Sequence, residues 1–119
     1  MKPVTFITVD SCRTQLERLT QLLVAAFPGS TVYQHTKLCR VSHDVLNHKV
    51  DAVFLETDQA SGLDFVQMLR KQKANLPVFI ISQTEALRKG AAAAGANGYF
   101  VQPVTEQQLR EALHSATNF

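Results

Sequence analysis

The sequence predicts an α/β domain, a doubly wound sheet of five parallel strands with helices on both faces. Three observations carry this. Short β-branched apolar runs alternate with segments of helical spacing five times along the chain. The inner runs are apolar almost without interruption, as strands covered on both faces must be. A chain of 119 residues, 45% hydrophobic and 18% charged, buries a core without disulfide or metal staples. Neither a repeat nor a linker breaks the pattern, so residues 1–119 read as one domain.

Taken in order, Val4 to Val9 reads as the first strand. Leu16, Leu19, Leu23, Ala26 and Phe27 recur at three and four residues, one face of the first helix. Thr14 and Glu17 fit a capping box at its start, and Pro28-Gly29 ends it. Thr31-Val32-Tyr33 is polar enough for an edge strand. Leu38, Val41, Val45 and Leu46 mark a second helix that ends near Lys49. Ala52 to Leu55 is a fully apolar, central third strand, followed by a polar stretch from Glu56 to Ser61. Leu63, Val66 and Leu69 face one way on a third helix. It closes on Arg70-Lys71-Gln72-Lys73, a basic run that suits the negative end of the helix dipole and reads as a solvated end. Pro77 opens the fourth strand, Val78 to Ile81, where a missing N–H is tolerated. Ser82 to Ala94 reads as a short Ala-rich helix containing Gly90, its small residues suited to close approach to the sheet or a partner. Gly95 to Gly98 is a turn, and Tyr99 to Val101 the fifth strand. Thr105 and Gln108 cap a last helix with an apolar face of Leu109, Ala112, Leu113 and Ala116.

Composition excludes several classes of function. No apolar run approaches the ~20 residues of a membrane span, and the N-terminal stretch meets Asp10 too soon for a signal peptide, so a cytoplasmic protein without membrane contact is expected. A net charge of +2, with both signs spread along the chain, gives no nucleic-acid footprint. Cys12 and Cys39 form neither a disulfide framework nor a zinc pair and read as buried or half-buried thiols. Cys12 has no histidine to activate it, because His35, His43, His48 and His114 fall elsewhere and read as surface residues. No G-x-S-x-G elbow, P-loop or G-x-G-x-x-G occurs.

In parallel sheets function gathers where the strands end, at the topological switch point. That singles out Asp10, Ser11, Glu56, Thr57, Asp58, Ser82, Gln83, Gln102 and Pro103. Asp10 and Glu56 follow neighbouring central strands. Two carboxylates brought together must hold a cation, share a proton or accept donors. A hard cation such as Mg²⁺ suits such a pair; Asp10 equally suits a helix N-terminus. Ser82 reads as a hydroxyl beside the same pocket or as an N-cap.

These residues resemble the response-regulator receiver domain, the CheY-like family, over essentially the whole chain. Val9-Asp10-Ser11 resembles the hydrophobic-Asp-Asp after the first strand. Asp51 to Glu56 resembles D-x-V-x-L-D, which ends in the phosphoacceptor aspartate. Ser61-Gly62-Leu63-Asp64 resembles N-G-L-[DE]. Pro77 to Ser82 resembles the strand ending in the Thr/Ser switch residue. Gly95 to Val104 resembles G-A-x-x-Y-[LV]-x-K-P-[FV]. The resemblance implies a flavodoxin-like (βα)5 fold with strand order 2-1-3-4-5. It also implies a module of two-component or phosphorelay signalling that works through protein partners, a histidine kinase or an effector domain, and no direct nucleic-acid binding. The thirteen-residue step from Ser82 to Gly95, with Pro-Val at 103–104, is similar to receivers of the LytTR class of transcription regulators.

The departures fall on the chemistry. The second acidic position is Ser11, the acceptor position Glu56 and the lysine position Gln102, and the loop after the acceptor is two residues short and lacks Met-Pro. Asp10, Ser82, Tyr99 and Pro103 match. Receivers use an aspartate as nucleophile on phosphorus, with Mg²⁺ neutralising phosphoryl oxygens. A glutamate carboxyl stands ~1 Å out of place, which can cost on the order of 10²-fold in rate. Ser11 removes a carboxylate that would position the ion, and Gln102 removes the cation that would pair the phosphoryl group. The expectation is therefore a pseudo-receiver rather than an enzyme. In it Glu56 accepts hydrogen bonds from Ser82 and Gln102 and holds one conformation without phosphate. No cofactor is expected; Mg²⁺, were it bound, would sit at Asp10 and Glu56. The rival acceptor is Asp58, and a phosphorylatable receiver labelled there or on Glu56 is the alternative. A flavodoxin-like small-ligand binder is disfavoured, since Asp10-Ser11-Cys12-Arg13 lacks the glycines of a phosphate loop. The output face would be the fourth helix, fifth strand and fifth helix, from Ala91 to Ala94 and with Tyr99 as rotamer switch or as packed aromatic. The small residues of the fourth helix would also permit a homodimer.

Overall fold

The alternation of strand and helix is realised in full. The computed structural model describes residues 4–116, with nothing to state for the Cys39 side chain. In chain order the elements are β1 (Thr5–Val9), α1 (Arg13–Ala26), β2 (Thr31–His35), a 3-10 turn (Leu38–Arg40) running into α2 (Val41–Asn47), β3 (Ala52–Glu56), α3 (Ala60–Gln72), β4 (Val78–Ser82), α4 (Arg88–Ala94), β5 (Gly98–Val101) and α5 (Glu106–Ala116). The strands form one parallel sheet in the order β2-β1-β3-β4-β5. β1 and β3 are the central pair, in register from Phe6 opposite Ala52 to Val9 opposite Leu55. No helix among the described residues is long and apolar enough to cross a membrane.

Strand residues alternate between the two faces of the sheet, and each face has its own core. Ile7, Val9, Val53, Leu55 and Ile80 pack against Val41 and Val45 of α2, Phe65, Val66 and Leu69 of α3, and Ala91 and Ala94 of α4. Phe6, Phe54, Phe79 and Ile81 pack against Leu19 and Leu23 of α1 and Leu109 and Leu113 of α5. On that second face the aromatic rings make a row across the strands: Phe6 to Phe54 at 5.9 Å, Phe54 to Phe79 at 5.1 Å and Phe79 to Phe100 at 6.0 Å between centroids. Thr8 lies in the same sheet layer, fully buried, and its hydroxyl has no hydrogen-bond partner among the described residues.

Several element ends differ from the sequence reading. Cys12, not Thr14, is the N-cap of α1, so Thr14 and Glu17 make no capping box. The Thr105–Gln108 box does form: Gln108 N–H donates to Thr105 Oγ1 at 3.2 Å and Thr105 N–H to Gln108 Oε1 at 2.9 Å. α4 begins at Arg88 rather than Ser82. Its predicted first turns are a loop in which Thr84 N–H turns back to Ser82 Oγ and Ala86 N–H to Thr84 Oγ1, local bonds that compete with the helix. α4 ends at Gly95, whose φ of +100° is open to glycine at little cost. Gly62 meets a different demand: a Cβ there would lie 2.5 Å from the Thr57 side chain. Arg70 is not a solvated helix end. Its guanidinium donates to Ala74 O (2.9 Å), Leu76 O (2.5 Å), Gly95 O (2.6 Å) and Asn97 Oδ1 (2.7 Å), joining the foot of α3 to the turn between α4 and β5.

Candidate functional site

The parallel sheet delivers Asp10, Glu56, Ser82 and Gln102 to one edge, since each lies at or just beyond the end of its strand. The backbone locks them in place. Asp10 N–H donates to His35 O at the end of β2 (3.1 Å), and Gln102 N–H donates to Ser82 O at the end of β4 (2.9 Å). Asp10 is buried and accepts the Cys12 N–H on Oδ1 at 2.9 Å, which supports the reading of a carboxylate at a helix N-terminus. The Gln102–Pro103 peptide is cis.

Glu56 meets Gln102 as expected, the amide Nε2 donating to Glu56 Oε1. Its second partner is one that motif reading missed. Gln15, on the first turn of α1, places its amide nitrogen 2.7 Å from Asp10 Oδ2 and 2.5 Å from Glu56 Oε1 and donates to both. The signal was present in the sequence: Gln15 stands one turn ahead of Leu19 and two ahead of Leu22, a polar group heading an apolar stripe.

Ser82 does not bond to Glu56. Its Oγ donates to Asp58 Oδ1, and the same oxygen accepts the Gln83 N–H at 2.8 Å. The short loop explains this. Thr57 N–H still follows the sheet, donating to Ile81 O at 3.0 Å, and α3 begins by Ala60, so Asp58 is drawn back over the end of β4. The Asp58 carboxylate is therefore occupied in binding Ser82 and Gln83. Ser11 is exposed at the rim of a cavity of about 500 Å³ that Asp10, Glu56, Thr57 and Asp58 also line.

Electrostatics at Glu56 follow from this crowding. Burial raises its pKa, and the hydrogen bond and charge of Asp10 raise it further, with Asp58 adding a little; the Gln102 amide pulls the other way. The result is a carboxyl pushed up to about 8 from 4.5. Two adjoining carboxylates cannot both ionise cheaply, and Glu56 is the one that holds its proton more tightly. A magnesium ion fits this arrangement poorly, since three of the four oxygens of the pair already accept protein donors: Asp10 Oδ1 the Cys12 N–H, Asp10 Oδ2 the Gln15 amide, and Glu56 Oε1 the Gln15 and Gln102 amides.

Tyr99 is placed as the packed aromatic of the two readings weighed for it. Its ring packs against the core of the α2–α4 face, and its hydroxyl donates to Thr84 O at 2.6 Å, in the loop that follows Ser82. The Arg88 guanidinium covers the ring at 4.9 Å from its centroid. The predicted output surface needs correction at two positions: Ala91 and Ala94 are buried, and Gly90 approaches Leu63 of α3, so these three small residues of α4 serve the core while Ala92 and Ala93 face outward. Cys12 is exposed rather than buried. His35 is no surface residue either. Its ring bonds to Asp44 of α2, against whose other oxygen His48 lies at 3.9 Å, stacked on Tyr33.

Comparison with known proteins agrees with this geometry. Residues 6–114 match the family model of the response regulator receiver domain. No curated protein sequence matches the chain. Among solved structures, a putative response regulator from Chloroflexus aurantiacus superposes with a TM-score of 0.85 at 21% identity, covering 97% of this chain and 98% of that one. A response regulator receiver domain protein from Clostridium thermocellum gives 0.83 at 23% identity, covering 97% and 94%. The chemotaxis response regulator CheY4 of Vibrio cholerae gives 0.81 at 17% identity, covering 98% and 100%. At these identities the structures speak for the fold alone. Together with the family match over nearly all of the sequence, they establish that the chain belongs to the response regulator receiver domain family.

Proposed function

We propose that this receiver works without phosphate, as a protein-interaction module whose former phosphorylation site is closed by its own side chains. One observation carries the reading: the groups that would receive a phosphoryl group are already bonded to internal carboxylates. The Ser82 hydroxyl and Gln83 N–H both donate to Asp58, and Gln102 and Gln15 both donate to Glu56. Asp58 thus supplies an anion to the switch residue permanently. A nucleophile must also be free and ionised, and Glu56 is neither at neutral pH.

The output face is the exposed part of α4, Tyr99 and the outer surface of α5. Lys89, Ala92 and Ala93 stand exposed on α4, and Gln107, Arg110, Glu111 and His114 on α5. The partner is a protein, a histidine kinase or an effector domain as in the family, and the domain performs no catalysis of its own. The test is intact mass after incubation with Mg²⁺ and a small-molecule phosphodonor. The expected result is no adduct while a conventional receiver labels alongside. A base-labile adduct mapping to Glu56 or Asp58 would establish a rebuilt acceptor and overturn the proposal.

A further inference from the structure

The face of Glu56 and Gln102 turned toward α1 opens into a second cavity of about 470 Å³, distinct from the one lined by Asp58. That volume falls within the ~300–1,000 Å³ of small-molecule sites, which pair apolar walls with a few placed polar groups. Its walls are apolar: Leu19 and Leu22 of α1 on one side, Ile81 and Val104 on the other. Leu22 and Val104 are only half-buried, so they have apolar surface left to cover.

The polar lining decides the class of ligand. The Gln15 and Gln102 amides of the lining are both spent on Glu56 Oε1. Arg18 is the one charged group of the lining without a partner among the described residues. A guanidinium presents a planar fork of donors that matches a carboxylate in a bidentate pair. Arg18 follows Gln15 by three residues on α1, so a carboxylate bound to it directs an attached apolar body along Leu19 and Leu22.

We infer that this cavity binds a small amphipathic carboxylate, its apolar body against Leu19, Leu22, Ile81 and Val104 and its carboxylate on Arg18. The occupant touches the two strand ends that matter. Ile81 immediately precedes Ser82, and Gln102 holds Glu56. A ligand seated there replaces phosphate as the input to the output face; that role, though not the binding itself, rests on the phosphate-free reading.

The test is an amide ¹H–¹⁵N titration of the full chain with four probes: 3-phenylpropionate, octanoate, the neutral 3-phenylpropanamide and the cationic 3-phenylpropylamine. The carboxylates are expected to shift Leu19, Leu22, Ile81 and Val104 and to bind about tenfold more tightly than the amide or the amine, the step that one charge-assisted bond supplies. Arg18→Gln, at an exposed position, should bring 3-phenylpropionate down to the affinity of the amide and leave the amide unchanged. The proposal is overturned if no carboxylate moves these four amides, if the amine binds as well as the acid, or if Arg18→Gln leaves acid binding intact. Phosphodonor labelling is read separately, so an adduct there would sink the phosphate-free reading and leave the site standing.

Discussion

Glu56 makes the stability of this domain depend on pH in the opposite sense to an ordinary surface carboxylate. Its folded-state pKa, about 8, lies above the 4.5 of the unfolded chain, so the native state holds the proton more tightly. The stabilisation is therefore fully present below about 4.5 and is lost as pH rises through about 8. A shift of this size has an upper limit of about 5 kcal/mol at ~1.4 kcal/mol per unit. Glu56 is only half-buried, and solvent screening brings the expected loss between pH 5 and pH 9 to about 2 kcal/mol. In a domain of this length that is a fall of roughly 6–10 °C in Tm. Thermal melts by circular dichroism across this range, on the parent chain and on Glu56→Gln, isolate the effect. The glutamine keeps an acceptor for Gln102 but cannot ionise, and subtracting its curve leaves the contribution of Glu56 alone. Parallel curves for the two proteins would refute the reasoning, since the carboxyl would then titrate alike in both states.

Other perturbations follow from the same geometry. Thr8→Val removes a fully buried hydroxyl without a partner while keeping its shape, and should raise stability by about 1 kcal/mol in urea unfolding. Asp58→Ala leaves the Ser82 hydroxyl and the Gln83 N–H without their acceptor. It should cost about 1–2 kcal/mol, and the Gln83 amide should exchange with solvent at least ~10-fold faster, a local opening visible by hydrogen exchange. Arg70→Ala strips hydrogen bonds from three carbonyls and the Asn97 side chain and should lower stability by about 2–3 kcal/mol; Arg70→Lys, with a point charge in place of the fork, should recover less than half of that in the same unfolding measurement.

The legible part of this protein was the part that repeats. The two-faced burial follows from near-continuous apolar runs such as Ala52 to Leu55, because a strand buried on both sides tolerates little else, whereas the strand order was implied by the resemblance to receiver domains. Capping boxes were legible only where the chain enters the helix at the expected residue. Thr105–Gln108 does so; at α1 the turn made by Asp10 and Cys12 starts the helix one residue ahead of Thr14. The length of α4 was misread because Ser82 to Leu87 has ordinary helical composition; the local bonds of Ser82 and Thr84 favour a loop, and the Ser82–Asp58 bond that holds Ser82 in it comes from tertiary placement. At the site, the meeting of Glu56 and Gln102 was legible from strand ends on one sheet edge. The diversion of Ser82 to Asp58 was not, although the two missing loop residues that cause it had been counted. His35 and Asp44 are nine residues apart across a loop, a spacing that no local pattern marks.

The Arg70 clamp sets the kind of motion that α4 can make. The helix has seven residues, about 10 Å of length. At its C-terminal end Gly95 and Asn97 are fastened to α3 through one guanidinium. At its N-terminal end it continues from a loop tied to the rest of the fold by Asp58 to Ser82 and Gln83, Gln102 N–H to Ser82 O, and Tyr99 to Thr84. A helix held at its foot and approached through a loop at its head moves as a lever rather than as a piston. A tilt of about 10° would carry its first residue by roughly 2 Å at 1.5 Å of rise per residue and barely displace its last. In such a tilt the largest displacement falls at Arg88, the residue that covers Tyr99.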